Sequence, residues 1–294
     1  MGLLTQFSKT VCRRGRLGRP FLFGLAACLA ACALPAPQQR VETAYRIAAE
    51  QGWRAEKLKA GRFDFQVFLP QQSAESLVVY VEGDGLAWLD ASTPSADPTP
   101  VNSLALRLAA HHPGRNAAYL GRPCQYDPEN VARTCSKADW TGGRFSAEIV
   151  DAANRVLDAI KALVGARQIT LVGYSGGGAL AALMAARRSD VEQLVTVAAV
   201  LDHHAWTEQL GLTPLSASLN PADDWEGLRS LRQVHLLGEE DKVTGRLAVQ
   251  GYVSRAQPGD PISVRTIPGF SHACCWVEAW PKLWQEITGE AASH

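Results

Sequence analysis

Three side chains of this sequence have the types and the spacing that nucleophilic acyl transfer requires: Ser175, Asp241 and His272. A serine hydroxyl is a weak nucleophile near neutral pH, so it needs a histidine to take its proton and a carboxylate to fix that histidine's tautomer. Ser175 stands in Gly173-Tyr174-Ser175-Gly176-Gly177, after the β-favouring Ile169, Leu171 and Val172 and before an alanine-rich run that starts at Gly178. A serine that leaves a strand and enters a helix within a few residues is held in a strained backbone, and flanking glycines relieve the clashes. The helix aims its free N–H groups and the positive end of its dipole at the serine, which suits an oxyanion formed there and makes the Gly176 N–H one donor. Asp241 and His272 each lie just beyond a further β-rich run, residues 234–237 and 262–267. The carboxyl ends of parallel strands share one edge of a sheet, so three residues far apart in sequence can meet there.

The elements that must position them follow from periodicity. Residues 77–81 are a continuous apolar run, as in a strand buried on both faces, and they end in Glu82-Gly83-Asp84-Gly85. Acyl transfer needs a second oxyanion donor from such a loop, and the two glycines let the backbone approach. The Asp84 N–H is the expected donor, with its carboxylate turned away because a negative charge repels an oxyanion. Residues 63–69, 117–120 and 194–201 read as further strands, and residues 42–51, 104–110 and 277–287 as helices. Ser146 is placed to cap a helix in which Ile149, Ala153, Val156, Leu157, Ile160 and Leu163 recur at helical spacing. Residues 207–232 are too few for a large helical cap domain and suit a small flap. Strand and helix alternate through the second half, which implies an α/β fold: a mostly parallel sheet flanked by helices.

The order Ser, Asp, His, the glycine elbow at Ser175, and the Gly238-Glu239-Glu240-Asp241-Lys242-Val243 and Gly269-Phe270-Ser271-His272 segments resemble the α/β-hydrolase superfamily of serine hydrolases over residues 77–284. The resemblance implies ester, thioester or amide cleavage through an acyl-enzyme, with no metal and no organic cofactor. It also implies a carboxylesterase acting on a small-molecule ester. A peptidase or amidase is the nearest alternative, and a non-catalytic envelope-binding protein on the same scaffold is the alternative from another class. Where relatives often carry His-Gly-x-Gly in the oxyanion loop, Glu82 stands in place of the histidine. Some family members draw the acid from the strand before, which makes Asp202 the alternative carboxylate. His203, His204 and His235 precede Asp241, contrary to the family order. A metal site at Asp202-His203-His204 is disfavoured, because neighbours in a strand point to opposite faces. Trp88, Trp140, Trp206 and Trp276 fall near segments expected to rim the site, either as stacking platforms or as packing. Arg122 and Arg144 flank a cysteine loop, as anion binders or as solvated surface.

The chain has 29 basic and 29 acidic residues and is 47% hydrophobic, ample for one α/β core. Lys9, Arg13, Arg14, Arg16 and Arg19 lie in the first 31 residues, which hold no acid; removing those five leaves 24 basic against 29 acidic, a net −5. An acidic body without a basic cluster argues against nucleic acid as a partner. The basic start and the apolar residues 21–32 have the form of a signal peptide, too short for a permanent span. Leu29-Ala30-Ala31-Cys32 resembles the lipobox of bacterial lipoproteins, so the expected layout is a signal peptide over residues 1–31, lipid attachment at Cys32, a tether over residues 32–41 and a hydrolase domain over residues 42–294. Ala33 after the cysteine resembles outer-membrane sorting, which places the protein at the cell envelope, held to the membrane by its lipid. Export permits disulfides. Cys124 and Cys135 close a short polar loop and are the expected pair; Cys274 and Cys275 stay reduced, bridge to each other, or exchange partners with the first two.

Overall fold

The computed structural model describes residues 34–289. Helix α1 spans Pro37–Glu50, and three strands follow: β1 (Arg54–Ala60), β2 (Phe63–Leu69) and β3 (Ser76–Val81). Helix α2 (Leu104–Ala110), β4 (Ala117–Leu120), the single turn α3 (Val131–Thr134) and α4 (Ala147–Val164) come next. The second half alternates: β5 (Gln168–Tyr174), α5 (Gly176–Ala185), β6 (Val191–Val197), α6 (His203–Leu210), α7 (Trp225–Leu228), β7 (Arg232–Gly238), α8 (Leu247–Val253), β8 (Ile262–Ile267) and α9 (Trp276–Thr288).

The eight strands form one sheet in the order β1-β2-β4-β3-β5-β6-β7-β8, antiparallel at β1-β2 and β2-β4 and parallel from β4 to β8. Successive side chains on a strand point to opposite faces, so β3 sends Leu77, Val79 and Val81 into one core and Val78 and Tyr80 into the other. The first core is closed by α4, α5, α7 and α8, and the second by α1, α2 and α9. Residues on both faces are therefore apolar, which is why the central strands read as unbroken hydrophobic runs. In α5 all ten residues are buried, and glycine and alanine are what let it lie so close to the sheet: a Cβ on Gly178 would stand 2.4 Å from that of Ala199. The connection between β6 and β7 carries only α6, α7 and short turns, and among the described residues there is no large cap.

Three features differ from the sequence reading: β6 ends at Val197 and not at residue 201, α1 starts earlier, and β1 is an added strand. Helix α1 starts at Pro37, so it takes in the second half of the expected tether; proline suits the first helical turn, and Arg40, Ala44 and Ala48 of this helix are buried. Arg40 bonds the carbonyl of Thr99 and pairs with Asp97 at 3.4 Å, which ties the helix to the domain. Strand β1 is an edge strand of alternating exposure and charged composition, so its sequence carries no hydrophobic alternation to find it by. Cys32 and the expected signal peptide lie outside the described residues.

Candidate active site

The elbow at Ser175 has the strain that its position demands. Ser175 has φ 53° and ψ −124°, and is among the few non-glycine residues with positive φ. Its N–H donates to the carbonyl of Val197 on the neighbouring strand at 2.9 Å, and its carbonyl accepts from Gly178 at 3.0 Å, which starts α5 at once. The flanking glycines are needed for packing: a Cβ on Gly173 would lie 2.4 Å from the Cα of Gly178, and one on Gly177 would lie 2.3 Å from the carbonyl oxygen of Val81.

The loops after β7 and β8 bring the other two residues to it. A Cβ on Gly238 would stand 2.4 Å from the carbonyl oxygen of Phe270, and Glu240 donates to that same carbonyl at 2.8 Å, so the two loops run against each other. His272 Nδ1 lies 2.9 Å from Asp241 Oδ2, and His272 Nε2 lies 3.1 Å from Ser175 Oγ. Asp241 also accepts from the backbone N–H groups of Val243 and Thr244 at 2.8 and 3.1 Å and from the Thr244 hydroxyl at 2.7 Å. Burial pushes this carboxyl upward, but the hydrogen bond and charge of His272 and the bonds from Thr244 outweigh it and hold it down at about 2. The ring of His272 lies 5.3 Å from that of Tyr174, and its carbonyl accepts from Trp276 Nε1 at 3.2 Å, which fixes the loop from behind.

Asp202, the alternative acid, serves elsewhere. It caps α6, accepting from the N–H groups of His204 and Ala205 at 3.2 Å each and from Asn220 Nδ2 at 3.3 Å. His203 and His204 open that helix rather than lying in a strand, and His235 is sealed in the core, where burial pushes its imidazole down to about 3. Of the four tryptophans expected at the rim, Trp88 and Trp206 line the cleft, while Trp140 and Trp276 are buried.

The oxyanion loop departs from expectation in one respect. The Asp84 carboxylate, expected to turn away from the oxyanion, instead packs against the start of α5, where a Cβ on Gly176 would meet Oδ1 at 2.1 Å. Two arginines neutralise it, Arg122 Nη1 on Oδ1 at 3.0 Å and Arg144 Nη1 on Oδ2 at 2.5 Å. Both arginines are buried, against the reading of them as solvated surface. Burial alone would raise the Asp84 carboxyl; Arg144 and Arg122 together hold it below the usual aspartate range. Arg122 also lies over the Phe145 ring at 5.1 Å. Among the described residues, the backbone N–H groups of Asp84 and Gly176 donate to no other group, which leaves both available to an oxyanion.

Glu82, in the position of the family's histidine, is buried and accepts from the N–H groups of Gly83 and Ala105 at 2.9 and 3.3 Å and from the Tyr119 hydroxyl at 3.1 Å. Burial raises its carboxyl to about 7. Cys124 and Cys135 are bonded to each other, with their Cα atoms 5.9 Å apart, and Cys274 bonds to its neighbour Cys275. The first bridge holds the loop that carries Gln125, whose Nε2 donates to the Gly83 carbonyl at 3.0 Å and so braces the oxyanion loop. Nothing local in the sequence marks Gln125 and Thr244 as partners of the site, and the pairing of Arg122 and Arg144 with Asp84 is likewise made only by the fold.

A family model of the alpha/beta hydrolase fold matches residues 123–238, a stretch that contains Ser175 but ends before Asp241 and His272. No curated protein matches in sequence. Among solved structures, puromycin hydrolase is similar with a TM-score of 0.56 at 15% identity over 82% of this chain; the match spans only 40% of that longer protein. An alpha-beta serine hydrolase homologue from Coxiella burnetii is similar with a TM-score of 0.54 at 15% identity, covering 81% of this chain and 97% of its own. Est1E from Butyrivibrio proteoclasticus is similar with a TM-score of 0.54 at 13% identity, covering 80% of this chain and 99% of its own. The sheet order, the elbow after β5 and these likenesses agree: residues 34–289 carry the α/β-hydrolase fold.

Proposed function

We propose that this protein is a serine hydrolase that cleaves carboxylic esters through an acyl-enzyme at the bacterial cell envelope. The observation that carries the reading is the unbroken line from Asp241 Oδ2 through His272 to Ser175 Oγ, at 2.9 and 3.1 Å. Ser175 Oγ attacks the acyl carbon while His272 Nε2 takes its proton, and Asp241 stabilises the imidazolium that results. The N–H groups of Gly176 and Asp84 hold the tetrahedral oxyanion. Collapse expels the alcohol, protonated by His272, and water then repeats the sequence on the acyl-serine. Each proton lost by Ser175 or water returns to a leaving oxygen, so the cycle needs no co-reactant beyond water. The envelope assignment rests on the leader, on Cys32 as lipid attachment site, and on two disulfides of a kind that persist outside the cytosol.

The test is to treat the full chain with a fluorophosphonate and compare it with Ser175→Ala. Labelling of the parent and not of the variant is expected; a parent that stays unlabelled sinks the hydrolase reading. Palmitate incorporation that is lost in Cys32→Ala is expected for the anchor, and a Cys32→Ala form that still partitions into membranes refutes it.

A further inference from the structure

The cleft at Ser175 has a volume of about 450 Å³, and a second cavity of about 320 Å³ lies beside it. The two share three wall residues, Trp88, Arg144 and Trp206, so the second cavity adjoins the first. Beyond those three its walls include the apolar Leu212, Pro214, Leu215 and Ala91. One of the two aromatic walls is braced by a side-chain bond. Trp206 Nε1 donates to the Val243 carbonyl at 2.8 Å, which ties that indole to the loop carrying Asp241, while the Trp88 backbone bridges to Pro94 across a small turn and its side chain is exposed. Arg144 is fixed by Asp84 and by the Thr141 carbonyl, which accepts from its Nε at 2.6 Å. Its Nη2 has no protein partner among the described residues and, unlike the Nε of Arg122, is not sealed from solvent. The nearby Asp90 carboxylate is occupied within its own turn, by the N–H groups of Ser92 and Thr93 at 2.9 and 2.8 Å.

We infer that this second cavity is a substrate subsite, and that the protein prefers esters bearing an aromatic arm that reaches past Arg144 and lies against Trp88 and Trp206. The inference rests on the hydrolase reading above and adds its substrate class. Two indoles, that of Trp206 fixed and that of Trp88 exposed, offer flat faces for an aromatic ring to stack on, and a guanidinium at the junction attracts the negative face of such a ring. A short acyl ester fills the cleft at Ser175 and leaves the second cavity to water, so the arm adds binding that a small substrate forgoes.

The experiment pairs labelling with selectivity. On the full chain, kcat/KM is measured for p-nitrophenyl butanoate and 4-phenylbutanoate, and for butyl and 4-phenylbutyl acetate, so that the arm is tried on either side of the ester bond. A preference of about tenfold or more for the arylated member of at least one pair is expected, the scale of a filled apolar pocket. Ala91→Trp and Thr213→Trp, at two exposed positions that line only the second cavity, should each fill it and bring that ratio toward one. Fluorophosphonate labelling of Ser175 in the same preparations reports separately on the hydrolase reading. If Ser175 labels but the ratio is near one in both pairs, or survives both tryptophan variants, the subsite is wrong while the hydrolase stands. If the parent does not label, both fall.

Discussion

Asp84→Asn is expected to destabilise the fold by about 3–5 kcal/mol, the range for removing one partner from a buried ion pair. The geometry explains why an isosteric change costs so much. The two carboxylate oxygens face different arginines, Oδ1 toward Arg122 and Oδ2 toward Arg144, and both guanidiniums are at least nine-tenths buried. An asparagine turned either way sets its NH₂ against one guanidinium, donor to donor, and leaves two buried positive charges without a counter-charge. For a domain of this size the loss corresponds to a melting temperature lower by roughly 6–20 °C, at about 2–4 °C per kcal/mol. Urea unfolding of the parent and the variant near neutral pH measures it. The sign with pH follows from the depressed Asp84 carboxyl: its contribution is full above the ordinary aspartate pKa and is lost as pH falls below it, so the parent and variant curves should converge in acid. Adding Arg122→Met to the variant should recover part of the loss, because one of the stranded charges goes with it. A loss under about 1 kcal/mol would mean that water already screens the cluster, and the account of Asp84 as its electrostatic centre would then be wrong.

Two further outcomes separate the roles of the acids. Asp241→Asn should cut ester turnover by about ten-thousandfold, the scale seen when the triad carboxylate becomes an amide, whereas Asp202→Asn should stay within about twofold because an asparagine oxygen caps a helix as well as an aspartate does; a larger loss at Asp202 refutes the assignment. Glu82 has a raised carboxyl, about 7 against an ordinary 4.5, so its contribution to stability is present below the ordinary value and is lost as pH rises through about 7. That dependence amounts to about 3 kcal/mol at most, from 1.36 kcal/mol per pKa unit. In Glu82→Gln the amide oxygen still accepts from Gly83 and Ala105 while its NH₂ donates to Tyr119, so the urea midpoint should fall less between about pH 5 and pH 8 than in the parent. Equal pH dependence in the two proteins would show that Glu82 is not the titrating group.

Periodicity and punctuation alone determined the strand-helix alternation, the parallel sheet and the elbow at Ser175. These are local properties: apolar runs buried on both faces, a glycine on each side of the serine, and turn residues after each strand. The order of Ser175, Asp241 and His272 along the chain also pointed to one edge of the sheet, because each stands at a carboxyl end. The tertiary structure decided what depends on contacts between distant segments. Asp202 and Asp241 are alike in sequence, each just past a strand, and only the run of the 238–241 loop against Phe270 selects Asp241 as the partner of His272. The Asp84 carboxylate stands beside the elbow because Arg122 and Arg144 arrive from loops 38 and 60 residues away and cancel the repulsion that a lone charge would cause. Edge strand β1, with no apolar alternation to betray it, exists only because β2 offers a free edge to pair with. The same holds for the cavity beyond Arg144, whose two indoles come from the loop after β3 and from α6, so no stretch of sequence contains it.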